Sequence, residues 1–173
     1  MCLDPKERME RLIADEWPSL RRFFRTKVAA SDVLDLAQAS ILALVESGGP
    51  SDPEKLKPFL WGIARNQVLK YYEKHRRESQ PFDSEVHSAL EVGASLSSRL
   101  DRRNRVVAAL LTLPVNPQIA VELRHGEGLS LDGVATSLGV SLATAKRYLS
   151  AAEEKLRADL GDLARVRDAY RNS

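Results

Sequence analysis

Cysteine is almost missing from this chain: Cys2 is the single one in 173 residues, so no disulfide can staple the fold from within. Histidine is scarce as well. His75, His87 and His125 are scattered and have no cysteine partners, which removes the ligand spacing of a zinc site. No apolar run approaches the ~20 residues that cross a bilayer, and the opening MCLDPKERME lacks the apolar core of a secretion signal. Apolar and polar residues nowhere alternate in the pattern of a strand. There is no phosphate-cradling loop, no nucleophile set beside a base and no metal cluster. These absences lead us to expect a soluble, cytoplasmic, all-α protein that needs no metal or cofactor, inserts in no membrane and is not an enzyme.

Hydrophobic residues make up 43% of the chain, enough for a core, and the formal net charge is only +2. The distribution of that charge says more than its sum. Residues 55–77 hold Lys55, Lys57, Arg65, Lys70, Lys74, Arg76 and Arg77 against Glu73 alone, so the rest of the chain is net acidic. A concentrated basic patch is an electrostatic footprint for polyanions.

Within that patch, residues 59–77 (FLWGIARNQVLKYYEKHRR) follow a helical period. Leu60, Ile63, Ala64, Gln67 and Tyr71 gather on one side as the stripe expected to face a core. Trp61, Arg65, Leu69, Tyr72 and Arg76 gather on an adjoining side. Rings interleaved with cations suit a nucleic-acid strand, whose bases stack on the rings while its phosphates attract the cations. An amphipathic helix with two ordinary half-buried aromatics fits the same pattern, and this helix alone does not separate the two.

The other segments also read as helices. Asp4, Pro5 and Glu7 make a good helix start, and the pattern that follows should kink or split at Pro18, after Trp17. DVLDLAQASILALVE, from Ser31 or Asp32 to about Glu46, is apolar on most of its circumference. It should therefore be buried on two sides, inside a bundle or against a partner protein. Residues 47–58, SGGPSDPEKLKP, read as a long loop by their glycines and prolines. Residues 78–98 carry Glu78, Asp83, Glu85 and Glu91 with no Lys or Arg, the composition of an acidic, flexible linker. Helices resume from Arg99 to Leu111 and over about 117–125.

Residues 129–156, LSLDGVATSLGVSLATAKRYLSAAEEKL, form a helix-turn-helix pattern. Ser130 caps a short helix, Gly139 supplies the turn, and Ser141 caps a long helix to about Leu160. Ala145, Leu149, Ala152 and Leu156 fix its buried side. Thr144, Arg147 and Ser150 then point outward with Lys146 at the margin, on the half of a recognition helix that reaches base edges.

The order of segments resembles the RNA polymerase sigma factors of bacteria, specifically the extracytoplasmic-function (ECF) class. Asp32-Val33-Leu34-Asp35-Leu36-Ala37-Gln38 resembles the family's D-x-E-D-L-x-Q signature. Phe59-Leu60-Trp61-Gly62-Ile63-Ala64-Arg65-Asn66 is similar to its W-L-x-x-I-A-R-N stretch. Leu113-Pro114, Gly128-Leu129-Ser130, Ala135, Leu138-Gly139-Val140-Ser141 and Thr144-Ala145-Lys146 resemble its region-four run. The likeness extends from about Leu12 to Leu160. Ala39, Leu34, Gly133, Tyr148 and Lys70 depart from the family pattern. Tyr148 stands where an arginine commonly contacts DNA, and Ala39 where Glu follows the signature Gln.

The resemblance implies a transcription initiation factor that binds core RNA polymerase, directs it to promoter DNA and assists opening, with an anti-sigma factor as a further partner. Residues 1–77 would form the region-two-like domain. Asp35 and Gln38 would contact the polymerase, and Trp61, Arg65, Asn66, Lys70, Tyr72, Lys74, Arg76 and Arg77 would hold the minus-ten element. Residues 78–98 would be the linker, lying in the polymerase's positive RNA channel or serving as a plain tether. Residues 99–160 would form the region-four-like domain, with Thr144, Lys146, Arg147 and Ser150 at the minus-thirty-five element, and 161–173 a tail. Two other readings remain open: a sigma-like decoy that binds an anti-sigma factor without engaging DNA, and a stand-alone helix-turn-helix regulator.

Overall fold

Every regular element among the described residues, 4–78 and 98–160 of a computed structural model, is helical. The chain divides into two units, Met1–Val86 and His87–Ser173, at a boundary inside the acidic stretch. Residues 79–97 of the expected linker and the tail 161–173 lie outside the described residues.

In the first unit, α1 (Pro5–Arg25) opens with Pro5 at its first position and with the Asp4 N–H donating to the Glu7 carboxylate at 3.2 Å. It is not split at Pro18, contrary to the expectation from sequence. Proline removes one backbone bond, but Glu16 before it and Leu20, Phe23 and Phe24 after it all pack into the same buried face. That burial, on both sides of the lost bond, keeps the helix continuous.

Helix α2 (Val33–Ser47) buries Val33, Ala37, Ser40 and Leu44 at helical spacing and stops at Gly48, whose φ of 71° is left-handed. Helix α3 (Pro53–Glu78) begins six residues earlier than the sequence pattern suggests, so the loop before it is short. The start is chemically sound. Asp52 Oδ1 accepts the Glu54 N–H at 3.0 Å and Pro53 occupies the first helical position, which favours proline. Pro58 sits inside the helix and is buried. The loop closes tightly over Leu56: Gly49 has φ 64°, and a Cβ there would lie 2.7 Å from Leu56 Cδ1.

Leu20, Phe23, Phe24, Ala37, Leu44, Leu60, Trp61, Ala64 and Val68 are fully buried and form the core of this unit. The core stripe of α3 is thus rotated from the expected one. Trp61 and Val68 join Leu60 and Ala64, while Ile63, Gln67 and Tyr71 are half-buried.

The second unit holds α4 (Ser98–Leu111), α5 (Val115–Val121), a π-helical turn (Glu122–Gly126), α6 (Leu131–Leu138) and α7 (Leu142–Leu160). Helix α5 starts at Val115 rather than near Pro117, and the π turn carries the chain on to Gly126. The two are braced by the buried Gln118 amide, which donates to Glu122 Oε1 at 3.1 Å. Caps then follow the sequence pattern. Ser130 Oγ accepts the Gly133 N–H at 3.0 Å, Gly139 adopts φ 63°, and Ser141 Oγ accepts the Thr144 N–H at 3.2 Å. No helix among the described residues is long and apolar enough to cross a membrane.

Candidate nucleic-acid and protein interfaces

Helix α7 is seated by Ala145, Leu149, Ala152 and Leu156, all buried as their spacing predicts. Polar ties hold the same helix. His125 Nε2 meets Glu153 Oε1 at 2.8 Å, and Lys155 Nζ donates to the Thr112 carbonyl at 2.9 Å. The opposite side is consequently fixed in direction, and it exposes Lys146, Arg147 and Ser150. Thr144 differs from these three. It is half-buried and its hydroxyl lies 3.0 Å from that of Ser141, within the cap. Tyr148 is half-buried.

On α3 the geometry corrects the sequence reading at its most prominent residue. Trp61 is fully buried, not a ring on the basic face. Its indole N–H donates to Glu16 Oε2 at 3.1 Å, and Phe23 packs on it edge-on at 5.3 Å. A ring enclosed in this way offers no face to a base. Lys57 Nζ adds a 2.8 Å ion pair to the other oxygen of Glu16, which ties the start of α3 to α1.

The remaining α3 residues are arranged along its outer side. Asn66, Lys70, Lys74 and Arg76 are exposed, and Arg65 is half-buried with Nη1 donating to Asn66 Oδ1 at 3.2 Å. The side chain of Arg77 lies outside the described residues. Tyr72 is half-buried and meets Tyr71 edge-on at 6.1 Å. Tyr71 is stacked on His75 at 4.0 Å, and its hydroxyl accepts the Ala29 N–H at 3.1 Å. Burial raises the Tyr71 phenol above its ordinary pKa, the Ala29 bond lowers it, and the nearby Asp32 carboxylate raises it further.

The sequence reading passed over His75, although its spacing of four from Tyr71 places both rings on one helix face. Tyr72, Tyr71 and His75 therefore form an aromatic row among Lys70, Lys74 and Arg76, about three to four turns beyond Trp61.

Helix α2 resolves the ambiguity left by its apolar circumference. One side is buried in the unit, and the other exposes Leu34 (47%), Leu42 (58%) and Val45 (51%). Asp35 and Gln38 are exposed on the same side. The result is an apolar strip with Asp35 and Gln38 set between Leu34 and Leu42, a composition suited to a protein partner. Ala39 is half-buried. Among the described residues no group of three or more His, Cys, Asp or Glu side chains gathers to hold a metal.

Residues 103–156 match the family described as "Sigma-70, region 4". The chain is 29% identical over 167 residues to the RNA polymerase sigma factor HrpL of Pseudomonas syringae pv. syringae, covering 90% of this chain and 89% of HrpL. It is 26% identical over 108 residues to the ECF RNA polymerase sigma factor SigM of Bacillus subtilis (strain 168), covering 62% of this chain and 66% of SigM. The fold resembles that of the sigma factor RpoE from Bartonella quintana, solved in complex with the anti-sigma factor NepR. The TM-score is 0.65 at 22% identity, over 88% of this chain and 96% of that one.

Proposed function

We propose that this chain is an RNA polymerase sigma factor of the ECF class, which binds core RNA polymerase, directs it to promoters and helps open them. The observation that carries the reading is the exposed Lys146–Arg147 pair, presented by a capped helix whose opposite side is locked into its unit. Helix α7 would enter the major groove of the minus-thirty-five element with Lys146, Arg147 and Ser150 toward the DNA, Thr144 serving the cap beside them. Guanine is the base a bidentate arginine reads best.

In the first unit, Lys70, Lys74, Arg76 and Arg77 would hold phosphates of the minus-ten region, which supplies affinity without sequence choice. Asn66 and Arg65 would lie beside them. Tyr72, with His75 and Tyr71, takes over the stacking role that burial denies to Trp61; stacking returns roughly 1–3 kcal/mol per base against the cost of opening. The exposed strip of α2 would dock on the polymerase through Leu34, Asp35, Gln38, Leu42 and Val45. An anti-sigma factor would compete for such surfaces. The protein would act in the cytoplasm and perform no chemistry of its own.

The test is run-off transcription with core polymerase and a library of promoter sequences. Selection of a two-part consensus supports the reading. Transcription that does not depend on this chain overturns it. Binding of duplex operators by the chain alone, with no effect on polymerase, would assign it to stand-alone regulators.

A further inference from the structure

The first two residues of α7 carry no charge and are left in the open. Leu142 is 38% exposed, the one large hydrophobic side chain so exposed among the described residues of the second unit. Ala143 beside it is exposed too. The packing of α7 does not call for either, because its buried side is made by Ala145, Leu149, Ala152 and Leu156.

Nor is their direction free. The Thr144 N–H bonds the Ser141 hydroxyl at 3.2 Å and the Ala145 N–H bonds the Ser141 carbonyl at 2.9 Å. That cap fixes the first turn. Leu142 then lies one turn before Lys146, and Ala143 one turn before Arg147, so the apolar tip runs into the cations without a break. The first turn also lacks the acidic residue that a helix start facing water favours. An acid there would repel phosphates, and this one has none.

We propose that Leu142, assisted by Ala143, is a specificity-determining contact that seats against the C5-methyl group of a thymine in the upstream promoter duplex. Thymine is the base that presents an apolar group in the major groove, and apolar side chains are its match. Arg147 stands five positions after Leu142, about 7.5 Å along the helix. The thymine therefore lies within about two base steps of the pair that Arg147 reads, at roughly 3.4 Å per step. This assignment rests on the promoter reading of α7 given above.

The experiment uses the full chain with core polymerase and the promoter selected from the library. Each thymine of the upstream element is replaced in turn by deoxyuridine, which removes the methyl and leaves every hydrogen-bonding group in place. Binding should weaken about fourfold at one position, the effect of burying one methyl group. Leu142→Ala should weaken binding to the thymine duplex by a similar factor and show no further loss when deoxyuridine replaces the thymine at that position. Equal binding of thymine and deoxyuridine at every position overturns the assignment while leaving the promoter reading intact. So does a deoxyuridine effect that persists undiminished in Leu142→Ala. A Leu142→Ala defect in transcription with no methyl dependence assigns the side chain to a protein contact and overturns it too. Failure to select any upstream element overturns both readings together.

Discussion

The indole N–H of Trp61 donates to Oε2 of Glu16 at 3.1 Å, joining α3 to α1 across 45 residues of sequence. The same carboxylate holds Lys57 through its other oxygen at 2.8 Å. A buried acid is costly unless its oxygens are satisfied, and here each oxygen has a cationic or N–H partner. The arrangement makes Trp61 and Glu16 a joint between helices.

Substitutions at this joint should therefore register first as stability. Glu16→Ala leaves the indole N–H without its acceptor and should cost about 1–3 kcal/mol. Glu16→Gln keeps an acceptor and should cost less. Trp61→Ala, which empties a large core site, should cost about 3–5 kcal/mol. Denaturant unfolding measures all three. Trp61→Phe should open promoters normally once folded, whereas Tyr72→Ala should open them poorly, as read by permanganate footprinting. Equal defects in the two would return Trp61 to the DNA face.

The α2 strip predicts the opposite signature. Leu42→Asp, and Asp35→Ala combined with Gln38→Ala, alter exposed side chains. Such changes should move stability by no more than about 0.5 kcal/mol. Co-purification with core polymerase should nevertheless fall in both variants. Full recovery of the complex would place the docking surface elsewhere.

Tyr71 gives a pH dependence with a definite sign. Its phenol is raised above the ordinary value of 10.0, chiefly by burial. The fold thus favours the neutral form. That contribution is complete below about pH 10 and is lost as pH climbs through the raised folded value. Tyr71→Phe removes the titration, so the difference in unfolding free energy between wild type and variant should shrink above pH 10. A difference that stays constant from pH 9 to 11.5 would show that the phenol is not held neutral by the fold.

The caps and the second unit were largely legible in the sequence because their signals are local. Ser130, Gly139 and Ser141 each act within a few residues of themselves, and the spacing of Ala145, Leu149, Ala152 and Leu156 needs nothing beyond the helical period. Trp61 was misread because its partners are remote. Helical phase put it beside Arg65 and Tyr72, and nothing local announced that Glu16 and Phe23 would cover it. Pro18 and Pro58 misled for a related reason: proline lowers helix propensity locally, but burial contributed by other helices decides whether the helix continues. Leu142 was left out because charge marks a DNA contact more visibly than an apolar side chain does.

Two kinds of DNA contact should separate by salt and by sequence. Lys70, Lys74 and Arg76 line the exposed side of α3, and Arg147 stands on the outward face of α7. If the α3 cations meet phosphates, each alanine substitution weakens binding on all promoters alike and lowers the salt slope of log K by about 1. Arg147→Ala, which removes a base reader, should cost about 1–3 kcal/mol at one position of the upstream element and relax selection there. The measurement is holoenzyme binding to the selected promoter, and to single-base variants of it, between 50 and 200 mM salt. A uniform loss from Arg147→Ala with the promoter profile unchanged would make it another phosphate contact, leaving Leu142, Lys146 and Ser150 to carry the sequence reading of α7.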